Sequence, residues 1–599
     1  MLKRLTPLFF IALWGCQGAS TPVAMDKAQA DNVIKSSQDN KLQNIIANAW
    51  QLQLEKDPQL AAAFGDNSQA GKLADLSPAT LASHNQRTQA LAQQLALLDT
   101  SLLSKTNRTN ALILKYQLDN DIDLYHFHDH YQPLTAESGF HADISAITRG
   151  RFDSMQDYRD YLSRLNALPK YFAQQTYWLK KGIKSGITQP KVVLEGFEHS
   201  ISAFIVPVEQ SVYYQPFKDF PAHFTQAEKN TLITEASQTI STKVLPLYQD
   251  FYRFMTESYI PQARRDIAAS SLPFGNAFYN NRLKHYTTVD MSADEVHALG
   301  LSEVKRIRSQ MQQIVKQLEF KGNFADFLHF LRTDPQFYAK TPKALLKEAA
   351  YLAKQADAIL PKYFGKLPRS PYGVQAVPAE IAPKYTTGRY SGANSDYEPG
   401  YYWVNTYALE TRPLYELPAL TLHEAVPGHH LQISLNKEIS DLPNFRRYSY
   451  ISAFGEGWGL YSEYLGIEAG YYQDPYSQFG RLTYEMWRAA RLVVDTGMHV
   501  KGWSRQQAID FMASNTALSL HNVTTEIDRY ISWPGQALSY KIGELTIKRL
   551  RAKAEQALGE QFDIRQFHDA VLAQGSVPMS VLEQQIDELI QTTQAKMKK

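Results

Sequence analysis

Apolar residues recur along most of this chain at steps of three and four, the spacing that gathers them on one face of a helix. The clearest stretch opens at Ser292-Ala293-Asp294-Glu295, where the serine and glutamate can cap each other's backbone N–H groups. Val296, Leu299, Val304, Ile307, Met311, Ile314 and Leu318 follow, so a long amphipathic helix is predicted there. The same periodicity predicts helices near 79–119, 155–180, 224–258, 342–360, 446–470, 480–500, 536–556 and 578–595. Strand and helix do not alternate and no fixed repeat is present, so neither a parallel α/β sheet nor a solenoid is expected.

Between Pro368 and Tyr407 the helical pattern stops. Pro, Gly, Ser, Asn and Asp punctuate two short apolar runs, Val374-Gln375-Ala376-Val377 and Tyr401-Tyr402-Trp403-Val404, which predicts a small antiparallel sheet or hairpin just ahead of His423. An edge strand there could pair with an extended peptide, or be a plain surface hairpin. Tyr385, Tyr390, Tyr397, Tyr401, Tyr402 and Trp403 are candidates for lining a cleft. Residues 17 to about 40, rich in Ala, Gln, Ser, Asp and Lys without periodicity, read as a flexible tether. At 599 residues the chain is long enough for two lobes. The expected division is a helical lobe over 41–370 and a chemistry-bearing lobe over 371–599.

Charge removes one class of partner. Sixty-two Lys plus Arg against 60 Asp plus Glu, with no basic block, offer no field for a polyanion, so nucleic acid is not an expected partner. The lone cysteine is informative by position. Met1-Leu2-Lys3-Arg4, the apolar run Leu8-Phe9-Phe10-Ile11-Ala12-Leu13-Trp14 and then Gly15-Cys16 resemble a bacterial lipoprotein signal over residues 1–16. That resemblance implies a lipid on Cys16, and Gln17 after it implies the periplasmic side of the outer membrane. The apolar run is too short to span a bilayer core of about 30 Å as a helix.

The chemistry concentrates in one stretch. His423 is followed by Glu424; His429 and His430 come after Pro427-Gly428; Glu456 and Glu463 lie on the next predicted helix. A catalytic zinc site needs three protein ligands, commonly two His and one Glu, an open position for water, and a further carboxylate to take the proton. On an unbroken helix, however, His429 would lie about 240° around from His423, and His430 about 10.5 Å along the axis. Neither fits ligands about 2.0–2.1 Å from one ion. Pro427 lacks the N–H that would bond His423 and Gly428 tolerates unusual dihedrals, so a bulge or kink is predicted over 425–428 that carries one of the two histidines back to His423.

The strings HEAVPGHHLQ, from His423, and EGWGLYSE, from Glu456, resemble the signature of the bacterial family called domain of unknown function 885. That family is in turn similar to the helical gluzincin peptidases, such as thimet oligopeptidase, carboxypeptidase Taq and angiotensin-converting enzyme. The resemblance implies a mainly α fold of two helical lobes around a deep cleft. It also implies zinc on His423, His429 and Glu456, with Glu424 as general base. His430 and Glu463 then become supporting residues or alternative ligands. By the same resemblance Tyr540 is a candidate oxyanion donor, and Arg529 with Tyr530 are candidate substrate contacts, Arg529 for a peptide carboxylate. Oligopeptides are the implied substrates. Two other readings stand beside this one: a non-catalytic envelope lipoprotein binding peptide or metal, and a zinc amidase acting on cell-wall peptides. Asp495 and His499, four apart, share a helix face and could hold a metal or serve structure.

Overall fold

The computed structural model describes residues 27–597 except 151, 380, 394–397 and 448, so Cys16 and Tyr397 lie outside the described residues. The fold is mainly helical with one small sheet. Helix α1 (Lys27–Lys56) extends back into the stretch expected as tether. Its second half buries Leu42, Ile45, Ile46 and Leu52, and the Ala, Gln and Lys ahead of them have the propensity to continue a helix already nucleated. The periodic stretch at 79–119 forms two helices, Pro78–Ala96 and Lys105–His126. The break falls where Asp99 and Ser104 cap new turns. Helix α2 (Met155–Ser185) starts on a capping box of Ser154 with Asp157. Helix α3 (Ala293–Gln317) starts on the predicted box, with Glu295 Oε2 accepting from Ser292 N at 2.8 Å. Helix α4 (Pro342–Tyr363) leads into the sheet.

That sheet differs from the expectation. Strands β1 (Tyr372–Ala376) and β2 (Gly388–Ser391) flank β3 (Gly400–Val404). β2 pairs antiparallel with β3, but β1 runs parallel to it, with Tyr372 opposite Gly400. The sheet is therefore mixed, because the chain between β1 and β2 crosses past β3 instead of turning back beside β1.

The remaining helices build the site: α5 (Leu417–Glu424), α6 (His429–Lys437), α7 (Ser452–Glu468), α8 (Pro475–Val500), α9 (Leu520–Ser532), α10 (Ser539–Leu558) and α11 (Met579–Met597). Arg529–Ser532 close α9. α8 is the axis of the molecule, with every residue from Phe479 to His499 buried, α3 along one flank and α7 and α10 packed on each other nearby. An apolar cluster runs from Leu42 to Ile590, so the core crosses residue 370 without a break. Among the described residues no helix is long and apolar enough to cross a membrane.

Candidate metal centre

The predicted distortion is a complete break. α5 ends at Glu424, the Val426–Pro427 peptide is cis, and α6 begins at His429. Gly428 sits against the end of α5, where a Cβ would lie 1.9 Å from the His423 carbonyl oxygen. Only glycine allows that approach. The indole N–H of Trp458 donates to the Pro427 carbonyl at 2.8 Å and fixes the break to α7.

The fold-back brings His423, His429 and Glu456 together, with one ligand atom of each within 4.8 Å of the others. Glu456 Oε2 lies 3.5 Å from His423 Nε2 and 3.4 Å from His429 Nε2. A tetrahedral ion with bonds of about 2.0–2.1 Å spaces its ligands roughly 3.3–3.4 Å apart, so these residues fit zinc in donor type and in the two spacings made by Glu456. His430 is not in the group. Its Nδ1 is 3.0 Å from the Tyr390 hydroxyl and 3.3 Å from Ser434 Oγ, which ties α6 to the sheet, and burial pushes its pKa down to about 4.

Helix α7 explains how His423 is held. Glu456 and Glu463 are seven apart and share a face, and Gly459 lies between them. A Cβ at 459 would come within 2.7 Å of the His423 ring, so this glycine makes the slot in which the imidazole stands. His423 Nδ1 hydrogen-bonds Glu463 Oε1 at 2.8 Å, directing Nε2 to the centre. Burial opposes charge on His423, but its hydrogen bonds to Glu456 and Glu463 push its pKa up to about 9. Burial likewise opposes charge on Glu456, and the two imidazoles hold its carboxyl well below the usual range.

Glu424 is buried and accepts the Tyr390 backbone N–H at 2.8 Å, which occupies the β2 edge donor nearest the centre. Tyr540, the second residue of α10, stands with its ring stacked 6.4 Å from that of His423. Burial and Glu456 raise its pKa, opposed by Arg529 and Arg491. Arg529 is buried. Tyr530 is not available to a substrate: its hydroxyl accepts from Trp487 Nε1 and Arg491 Nε and donates to Glu526 Oε2, so it is fully used inside the core. Asp495 and His499 serve structure. Asp495 accepts from the Tyr279 hydroxyl and Gly535 N–H, and His499 bridges the Ala269 N–H and the Tyr530 carbonyl. Among the expected cleft aromatics, Tyr402 and Tyr390 are buried packing residues.

Three residues escaped the sequence reading. Tyr450 donates to Glu456 Oε1 at 2.9 Å, orienting the ligand carboxylate. The periodicity expected over 446–470 placed Tyr450 inside a helix, whereas it lies just ahead of α7, where no periodic signal marks its role. Arg491 lies under Tyr540, its Cζ 4.1 Å from that ring. Its signal was available, since Arg488 and Arg491 interrupt an otherwise apolar stretch of α8. Glu137 is exposed, with burial pushing its carboxyl up and Arg529 pulling it down.

No curated protein matches this chain. Among solved structures it is similar to "the putative lipoprotein from Colwellia psychrerythraea", at 29% identity and a TM-score of 0.85, covering 93% of this chain and 99% of that one. It also shares the fold of "a putative lipoprotein of unknown function from Shewanella oneidensis", at 18% identity and a TM-score of 0.68, covering 94% and 99%. Residues 58–586, a span that includes every residue of the metal centre, match the family described as "Bacterial protein of unknown function (DUF885)", and the chain belongs to that family.

Proposed function

We propose that this chain is a zinc-dependent peptidase of the cell envelope that hydrolyses oligopeptides, with a helical framework related to the gluzincin peptidases. The observation that carries the reading is the convergence of His423, His429 and Glu456 beside a buried carboxylate, Glu424, that ligates nothing. A structural zinc site would close on a fourth protein ligand and has no need for a base beside its ligands. Lipidation of Cys16, and with it an outer-membrane location, remains part of the same proposal; the lipoprotein name of the 29%-identical relative supports the lipidation.

His423, His429 and Glu456 would hold the ion, which when bound supplies Lewis acidity toward a water and a carbonyl oxygen. Glu424, fixed by the Tyr390 N–H, takes the proton of the attacking water and returns it to the leaving amine. Tyr540 is placed to donate its phenolic proton as a hydrogen bond to the carbonyl oxygen as that oxygen gains charge. Glu463 and Tyr450 orient His423 and Glu456. Glu424→Gln tests the reading. The variant is expected to keep its zinc content while turnover of a linear peptide falls by about 10²–10⁴-fold; unchanged turnover would remove Glu424 as base. Muropeptides assayed in parallel separate an amidase from an oligopeptidase.

A further inference from the structure

Glu463 orients His423, and Arg488 is the residue behind Glu463. The Glu463 side chain is 2% exposed, and among the described residues its carboxylate has two side-chain partners. His423 Nδ1 lies 2.8 Å from Oε1 and Arg488 Nη2 lies 3.5 Å from the same oxygen. The other oxygen, Oε2, has no hydrogen bond to a described residue. Arg488 is itself 5% exposed, and Glu463 is its one ion-pair partner among the described residues. Aromatic rings and one carbonyl fix the guanidinium in place. Its Cζ lies 4.3 Å from the ring centroid of Trp487, 4.6 Å from that of Tyr484 and 5.8 Å from that of Tyr540. Its Nη1 donates to the Tyr484 carbonyl at 3.4 Å. Rings of this kind hold a planar cation by its faces and leave its edge free to meet a carboxylate.

We propose that Arg488 is a positioning residue of the metal centre: it holds the Glu463 carboxylate where His423 Nδ1 needs an acceptor, and so sets how tightly zinc is held. It rests on the zinc centre of the peptidase reading and on no substrate. An imidazole that binds an ion through Nε2 carries no proton there, so a ligated His423 brings no positive charge to Glu463. Arg488 is then the cation left beside a buried carboxylate, and a buried carboxylate without a counter-charge is costly. Both partners meet on Oε1, so whatever moves Arg488 moves the atom that receives the His423 N–H. Without the arginine the carboxylate gains by turning toward water, and the His423 ring loses the acceptor that aims Nε2 at the ion. The contact with Tyr540 ties the same cation to the proposed oxyanion donor, so one side chain of α8 touches both the support of a ligand and the group that faces the carbonyl.

The test reads the zinc affinity of the full chain by competition with a chelator, beside turnover of a linear peptide. Arg488→Met, which keeps the length and loses the charge, is expected to bind zinc about 10- to 100-fold more weakly than wild type, the usual effect of removing a group behind a metal-bound histidine. Arg488→Lys should recover most of that loss. Glu463→Gln should weaken zinc by about as much, and adding Arg488→Met to it should cost little more, because a neutral amide needs no cation. If Arg488→Met strands Glu463 and fails to fold, the double variant strands no charge and is compared with Glu463→Gln alone. Wild-type zinc affinity in Arg488→Met, or an equal loss from it in both backgrounds, overturns the proposal and leaves the peptidase standing. The expected zinc losses in a protein that cleaves no peptide keep the proposal and overturn the peptidase. A wild-type chain that binds no zinc overturns both.

Discussion

Two buried ionic clusters sit less than two turns apart on α8, one at Glu485 and one at Arg491, and they are finished to different degrees. At the first, the fully buried Lys541 has Nζ within 3.1 Å of a carboxylate oxygen from each of Glu303, Glu485 and Glu544. Arg481 and Arg306 add further partners to Glu485. At the second, Arg491 and Arg529 divide a single carboxylate, Glu526. The first joins α3, α8 and α10 and closes on itself. The second stays open, with Arg529 Nε and Nη2 and Arg491 Nη1 lacking acceptors among the described residues. Burial of charge does not by itself mark a functional site, because a paired cluster is architecture; an underpaired one contributes little to the fold.

The largest expected effect breaks the closed cluster. Lys541→Met leaves Glu303, Glu485 and Glu544 facing one another without their common cation. Removing one partner from a buried ionic group costs about 3–5 kcal/mol. The variant should melt well below wild type, or fail to accumulate as folded protein, in thermal unfolding followed by circular dichroism. Wild-type stability would show that these carboxylates protonate or repack freely, and the contrast with Arg491 would lose its meaning.

A smaller effect comes from Asp495, one turn beyond Arg491 on the same stripe of α8. Burial pushes its carboxyl up to about 7, opposed by the Tyr279 hydroxyl and the Gly535 N–H. The folded state thus binds a proton that the unfolded chain releases near 3.8. The stability this proton contributes is fully present below that lower value and is lost as pH rises toward 7, by at most about 1.4 kcal/mol per pH unit. Asp495→Asn retains an acceptor for both donors and carries no charge. Its melting temperature should fall less than that of wild type between pH 4.5 and pH 7.5, and parallel curves would show that Asp495 ionises freely where it stands.

The contrast between the clusters also explains what the sequence could convey. The metal residues were legible because their chemistry is compressed into two short strings. His423-Glu424 and Pro427-Gly428 announce a ligand, a base and a break, and Glu456 and Glu463 fall seven apart on one helix. The predicted kink is a full break between α5 and α6. The helices were legible from their period, except where a local cap at Ser104 divided one stretch and where 446–470 split into Asn444–Arg447 and Ser452–Glu468. Pairing between elements was not legible. The parallel run of β1 beside β3 depends on a crossing that no turn residue encodes, and Tyr530, expected as a substrate contact, faces the core because the sequence alone does not say which side of its helix packs inward. Arg491, Glu526 and Arg529 come from two helices, so neither the shared carboxylate nor the orphan donors exist until α8 and α9 pack.

The smallest expected effect is the most discriminating. Arg529→Gln removes a buried charge whose Nε and Nη2 have no acceptors, while Glu526 keeps its hydrogen bonds to Arg491 and Tyr530. The lost attraction to Glu526 at 3.5 Å is offset by the removal of a desolvated, underused cation. The variant should therefore melt within about 1 kcal/mol of wild type, in the range of a neutral substitution, under conditions where Lys541→Met is severely destabilised. An Arg529→Gln protein that melts as early as Lys541→Met would make the two clusters equivalent, and the open one would then be a structural ion pair of ordinary kind.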